Sequence, residues 1–303
     1  MLTPADYKER WDRDGWCVVD GVIAPDDLAA AQAALPDVFP TGDEFADNVC
    51  PERNAPFYAE GTAPRIQFPF EHGAHNRVAL CDAMIDLAET LLETDDIRVY
   101  QAQLIAKYAN AAPDYDQLLH ADYANHTYVV PRSDIGYQHL TTFVYLSDVT
   151  PETGATRFVS LEHTKDIPIE RLYLHLDDYK DLYEIEQPAV GAAGSVLIYR
   201  PDVFHRGVPM TTPRSARFLM PVAFKPAGTE WIGFHAFPRR AEDMAWHRFM
   251  RHATLRQLLA LGFPRPGDGY WTEETLAGVA ARYPSLDMTP WRDARRSGEQ
   301  RRL

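Results

Sequence analysis

The sequence is poor in cysteine, in basic residues and in long apolar runs, and each shortage excludes something. Only three cysteines occur in 303 residues, Cys17, Cys50 and Cys81. They are odd in number, far apart and without metal-ligand spacing. That excludes a disulfide framework and reads as free thiols in a reducing cytosol. Lys and Arg number 30 against 44 Asp and Glu, a formal net charge of -14. A surface so acidic repels phosphate backbones and anionic lipid, so neither nucleic acid nor membrane is expected as a partner. No apolar run is long enough to span a bilayer. The stretch from Met1 to Asp6 lacks the basic start and apolar core of a secretion signal. The expected location is cytoplasmic, and the expected partner is a small-molecule substrate. One basic cluster, Arg292, Arg295, Arg296, Arg301 and Arg302, reads as a solvated tail. Oligomeric state leaves no trace in the sequence.

What the chain does have is apolar material, 46% of its residues, enough for one large core. It also has one stretch around which the rest can be read, Leu118-Leu119-His120-Ala121-Asp122-Tyr123. In an extended strand, residues i and i+2 share a face. His120 and Asp122 can then hold one metal ion if a third ligand arrives from elsewhere. His205, in Pro201-Asp202-Val203-Phe204-His205-Arg206-Gly207, is the candidate. Two histidines and one carboxylate on one side of a metal form the facial triad of non-haem Fe(II) oxygenases, with the opposite side open. A second H-x-D, His175-Leu176-Asp177, borders the acidic run from Asp178 to Glu184 and reads as surface. His120 instead opens a segment ending in Tyr128-Val129-Val130 and follows a long strand-like stretch.

Thr3-Pro4 reads as a capped helix start with Tyr7 and Trp11 on one face and Gly15 at its end. A short strand from Trp16 and a helix from Pro25 follow. From Phe39 to His75 the pattern dissolves into proline, glycine and aromatics such as Phe57, Tyr58, Phe68 and Phe70. Such a loop is either a lid or substrate wall, or a mere cover for the core. His72 and His75 within it read as solvent-facing. Leu80, Met84, Leu87 and Leu91 at helical spacing place a helix over 76–94. Ile97 to Tyr108 reads as a strand. Its face of Val99, Gln101, Gln103, Ile105 and Lys107 is the more polar one and meets water, unless a closed barrel turns it inward. Further strands are expected at Gln138–Leu146, Ala155–Ser160, Gly191–Tyr199 and Arg217–Lys225. The segment from Tyr173 to Glu186 reads as an acidic insertion. A helix over 241–261 and a last short helix from Thr272 close the chain. Central strands between terminal helices imply mainly β architecture with flanking helices around a double-sheet jelly roll of the cupin kind, that is, a double-stranded β-helix.

Four pieces then occur in order: DGWCVVDGVIAPDDLAAAQAAL, LLHADYA, FVYLSDVTPETGATRFV and GSVLIYRPDVFHRGVPMTTPRSARFLMPVAF. Together they resemble the phytanoyl-CoA dioxygenase family of Fe(II)/2-oxoglutarate-dependent oxygenases, along nearly the whole chain. The resemblance implies one dioxygenase domain over 1–303, with a helical part at 1–96, a jelly-roll core at about 97–226 and a helical part at 227–303. It assigns Fe(II) to His120, Asp122 and His205, and the far carboxylate of 2-oxoglutarate to Arg217, whose guanidinium fork suits that group. Arg214 competes but follows Pro213 in a turn. Gln103 and Lys107 fall where similar proteins contact the cosubstrate. Gly207 stands where relatives carry a small hydroxyl residue, and Thr142 is the candidate to replace it. His163 departs from the family's usual PGSH and reads as structural or exposed. Tyr123 and His126 are candidate substrate walls. The activity implied is hydroxylation of an unactivated C–H bond with O2, releasing succinate and CO2. Three other readings compete. A halogenase lacks the carboxylate ligand and is disfavoured by Asp122. A metal-dependent hydrolase on zinc needs no arginine beyond the metal. A non-catalytic jelly-roll binding protein needs no metal at all.

Overall fold

The computed structural model describes residues 3–59, 64–127, 139–168, 171–229, 232–235, 237 and 243–300. Tyr128-Val129-Val130, Gln138 and the last arginines, Arg301 and Arg302, lie outside them.

Among the described residues, eleven strands form two antiparallel sheets. They are β1 (Trp16–Val19), β2 (Arg65–Gln67), β3 (Ile97–Tyr108), β4 (Leu119–His120), β5 (Leu140–Tyr145), β6 (Arg157–Phe158), β7 (Tyr173–Leu174), β8 (Gln187–Pro188), β9 (Val196–Tyr199), β10 (His205–Arg206) and β11 (Ala216–Pro226). The larger sheet has the order β1-β9-β5-β11-β3-β2 and the smaller one β7-β4-β10-β6-β8. With flanking helices, they make the double-stranded β-helix expected from the strand pattern.

Alternation along β3 sorts side chains between two cores. Ala102, Leu104, Ala106 and Tyr108 join the helix-facing core. Ile105 packs instead with Tyr145, Leu197, Tyr199 and Leu219 between the sheets. Gln101 and Gln103, in phase with Ile105, are 4% and 1% exposed. The polar face of β3 is therefore turned inward, away from water. A bulge interrupts the phase: Ala223 pairs with Gln101 but Phe224 with Val99. Tyr100 is the extra residue, and it packs on Ala223 and Ile232 rather than with Ala102. Bulges re-aim side chains in this way beside functional sites.

The helices cover the outer face of the larger sheet. Thr3 closes a capping box on the Pro4–Asp14 helix, Gly15 ends it at φ +79°, and Tyr7 and Trp11 are its buried residues. The expected helix over 76–94 is two helices, Gly73–Ala79 and Asp82–Leu92. Cys81 is extended between them, so the Leu80, Met84, Leu87, Leu91 stripe stays buried across a break. The 241–261 helix likewise splits into Met244–Met250 and Leu255–Ala260.

The aromatic stretch proves to be core cover. Short helices at Gly42–Ala46 and Pro51–Tyr58 and the strand β2 occupy it. Of its four named rings, Phe57, Phe68 and Phe70 are buried and Tyr58 is exposed. Each fully buried ring contributes about 2–3 kcal/mol. His75, expected in solvent, is buried and hydrogen-bonds Ala31 O at 2.9 Å. The C-terminal stretch is also corrected: Thr289–Gln300 is a helix after Glu273–Arg282. Trp291 anchors it, 1% exposed, with its indole N–H donating to Pro264 O.

Candidate metal centre

β4 and β10 are neighbours in the smaller sheet, and their register places His120 directly opposite His205. The strand ends at His120. Asp122 lies in a helical turn (φ -84°, ψ -10°) that starts a short helix. It reaches the centre from that turn, and not as the next same-face residue of a strand. Ligand atoms of His120, Asp122 and His205 all lie within 4.8 Å of one another. His205 Nε2 is 3.4 Å and His120 Nε2 3.8 Å from the Asp122 carboxylate.

The surroundings fix each group. His120 Nδ1 contacts Leu118 O at 2.9 Å and His205 Nδ1 contacts Val203 O at 3.1 Å. A backbone acceptor at Nδ1 leaves Nε2 of each ring free to ligate. Phe158 stacks on the His205 ring at 5.1 Å. Tyr199 Oη donates to Asp122 Oδ2 at 2.9 Å. Burial pushes the Asp122 carboxyl upward, but His205, then His126 and His120, outweigh it and hold it well below the usual carboxylate range. Burial pulls His205 down, yet Asp122 wins and raises it. His120 is lowered by burial and then by His205. Side-chain exposures of 20% for His120 and 16% for Asp122 leave the centre reachable from outside. Two imidazoles and a carboxylate are a donor set that Fe(II) accepts, with the remaining positions for other ligands. Tyr199→Phe removes the hydrogen bond on the carboxylate. It is expected to weaken Fe(II) affinity by about 10- to 100-fold, read by metal titration, with the fold unchanged by circular dichroism.

Arg217 heads β11, cross-strand from Lys107 on β3. It is 6% exposed and donates through Nη1 to Gly154 O, while its Nε has no partner. No ion pair engages it among the described residues. Burial lowers its pKa from the ordinary guanidinium value, with Tyr145 and Asp114 opposing. Gly154 needs φ +70°, and a Cβ there would meet Val208 O at 2.7 Å. The competing Arg214 is exposed and held by Asp43 and Asp47. Lys107 pairs with Asp114 at 3.0 Å and donates to Val208 O at 2.6 Å. Burial, then Arg217, pulls its ammonium down. Gln103 contacts His235 Nε2 at 2.8 Å and accepts from Arg65 at 3.1 Å.

Two candidates point elsewhere. Thr142 shares its face with Leu140 and Val144 of the helix-side core and donates to Val222 O at 2.7 Å. One residue of strand phase removes it from the site and puts Thr141 there instead. Tyr123 opens the short helix after Asp122 and packs with Leu119, Ala121, Leu174 and Phe204. It therefore lines no substrate wall at the metal. His126 does lie on the metal side, with Nδ1 2.8 Å from Tyr100 Oη. Beside Gly207 stands a residue the sequence did not single out: Gln117 Oε1 accepts from Gly207 N–H at 2.8 Å.

The segment from Tyr173 to Glu186 is more than a solvated insertion. His175, Leu176 and Asp177 are exposed as expected, but β7 pairs with β4. Tyr183 Oη accepts from Leu119 N–H at 3.0 Å and donates to Leu174 O at 2.7 Å. Glu186 takes two bonds of 2.7 Å from Arg206, the neighbour of His205. Arg157 stands 3.5 Å from the same carboxylate. Glu186→Ala removes the buried carboxylate from both guanidinium groups and leaves Arg206 paired with Asp116 alone. The expected loss is about 1.5–3 kcal/mol of stability, with weaker Fe(II) binding because β10 carries His205. Thermal unfolding and metal titration read the two effects.

A family model described as phytanoyl-CoA dioxygenase matches residues 11–218. No curated protein sequence matches the chain. Solved structures similar in fold include the non-heme alpha ketoglutarate dependent epimerase SnoN from nogalamycin biosynthesis, at 18% identity and TM-score 0.55, over 74% of this chain and 83% of SnoN. HygX from Streptomyces hygroscopicus, with nickel and 2-oxoglutarate bound, matches at 19% and 0.53, over 75% of this chain and 88% of HygX. EctD from S. alaskensis in its apoform matches at 18% and 0.54, over 78% of this chain and 84% of EctD. At such identities the likeness speaks for the fold alone. Among the described residues no helix is long and apolar enough to cross a membrane.

Proposed function

Because the chain belongs to the phytanoyl-CoA dioxygenase family, we propose that it is an Fe(II)/2-oxoglutarate-dependent dioxygenase hydroxylating an unactivated C–H bond of a small organic substrate. The observation that carries the reading is the convergence of His120, Asp122 and His205 within 4.8 Å, together with a buried arginine that has no carboxylate of its own. The three parts of the chain are read as one domain, since the helix-side core draws residues from all of them.

His120 and His205 offer Nε2, and Asp122 offers its carboxylate, as the three protein ligands. Tyr199 orients that carboxylate through its hydroxyl. Arg217 grips the far carboxylate of 2-oxoglutarate, and the vacant hydrogen-bonding capacity at its Nε suits a two-bond fork. Lys107 and Gln103 line the same inner face and set the charge and width of the cosubstrate site. Iron, 2-oxoglutarate and O2 bound together supply the oxidation, which converts 2-oxoglutarate to succinate and CO2. What the protein adds is position and shelter from water.

A zinc hydrolase would use the same donors but gives the buried Arg217 no task. A halogenase would need the Asp122 position open. The test is metal-stripped protein reconstituted without oxygen. Fe(II) and 2-oxoglutarate together are expected to give a visible charge-transfer band, and oxygen is then expected to yield succinate. Zinc-dependent hydrolysis without 2-oxoglutarate binding would overturn the reading.

A further inference from the structure

The inner wall beside the metal centre carries polar atoms that make no normal hydrogen bond among the described residues. One rung of the larger sheet aligns Tyr199, Thr141, Ala223 and Gln101 across β9, β5, β11 and β3. Directly opposed residues of a ladder share a face. Tyr199 identifies it as the metal face, since its hydroxyl is on Asp122. His139 is in phase with Thr141, two positions before it. The rings of Tyr100, His126 and His139 meet there, with centroids 5.7 to 5.9 Å apart. Among the described residues Gln101 Oε1, Thr141 Oγ1 and both ring nitrogens of His139 make no hydrogen bond of normal geometry, though Thr141 Oγ1 faces the hydroxyls of Tyr100 and Tyr199. Their residues are 4%, 2% and 1% exposed.

We propose that Gln101, Thr141 and His139 form the substrate subsite and receive an uncharged, hydroxyl-bearing part of the substrate beside the metal. The proposal rests on the oxygenase reading above. Buried polar atoms without partners are rare, and each carries the full loss of its hydration. Four of them in three neighbouring residues, next to a metal-binding carboxylate, mark a place where the fold is incomplete without a ligand. An amide oxygen accepts, a hydroxyl does either, and a neutral imidazole offers one of each. Burial drives the His139 pKa down to about 3, so its ring is uncharged. The matching ligand groups are hydroxyls, which both donate and accept. The rung itself holds no cationic side chain to receive a carboxylate or phosphate. Of the cations nearby, Lys225 donates to Thr229 O and Ile232 O, and Arg65 to Gln103.

The test compares metal-free wild type with Thr141→Val and Gln101→Leu by thermal unfolding. Apolar replacements of unsatisfied groups are expected to raise Tm by about 2 °C or more each. Nickel- and 2-oxoglutarate-loaded protein is then titrated with uncharged methyl glycosides and cyclitols, and with uronates and acyl-CoA as charged counterparts. The uncharged series is expected to raise Tm further, and Thr141→Val to lose that rise. A fall in Tm for both replacements, showing that these groups hold the fold together, overturns the subsite. So does a larger shift from uronates or acyl-CoA than from the uncharged series. The oxygenase reading fails separately, if nickel and 2-oxoglutarate themselves shift nothing.

Discussion

Asp122→Ala is expected to reduce succinate formation to background and to weaken Fe(II) binding by more than about 100-fold, the upper range for losing a group that merely orients a ligand. Asp122 is the only anionic donor of the three. It is also the hub of the centre, touched by His205 at 3.4 Å, His120 at 3.8 Å and Tyr199 at 2.9 Å. Two neutral imidazoles alone leave a divalent ion with its charge uncompensated and its position loose. The fold should survive, because removing the carboxylate merely lets His205 return to a neutral ring held by Val203 O. Metal titration and coupled succinate release read the effect, with Tm as the control. Full activity in the variant would remove Asp122 from the ligand set.

Arg217→Leu is expected to raise the KM for 2-oxoglutarate by about 30- to 4,000-fold, since loss of one partner of a buried charged pair costs about 2–5 kcal/mol at about 1.4 kcal/mol per factor of ten. In the protein without cosubstrate the sign reverses. Arg217 is then a buried cation whose Nε finds no partner and which no ion pair engages among the described residues. Replacing such a charge with an apolar chain commonly stabilises, so the variant's Tm should rise. A purely structural arginine would lower Tm and leave KM alone, and the two measurements together decide.

How much of this was legible in the sequence depended on the range of the signal. Local chemistry read well: the Thr3 cap, Gly15 ending its helix, and Tyr7 and Trp11 as buried residues. The candidate donors were legible because strand context and the family resemblance set His120-Ala121-Asp122 apart from the second H-x-D at His175, which His205 also follows. Their convergence was not, since the pairing of His205 with His120 is a cross-strand register that no local pattern encodes. Thr142 lies one position out of strand phase with the site, on the face of Val144. Tyr123 lies past the end of its strand, in the helical turn after Asp122, where it packs on Leu119. The bulge that swings Tyr100 onto the metal side has no signature in a strand of β-branched and aromatic residues. The 173–186 segment read as surface because its contribution, Tyr183 on β4 and Glu186 on Arg206, consists wholly of contacts between distant parts of the chain. The break at Cys81 was hidden because Leu80 stays buried on both readings.

Crystals grown without oxygen from protein reconstituted with Fe(II) and 2-oxoglutarate would locate the metal directly by its anomalous scattering. The expected result is one iron bound by Nε2 of His120, Nε2 of His205 and the Asp122 carboxylate, with the far carboxylate of 2-oxoglutarate forked by Arg217. Iron bound elsewhere, or 2-oxoglutarate seated away from Arg217, would contradict it.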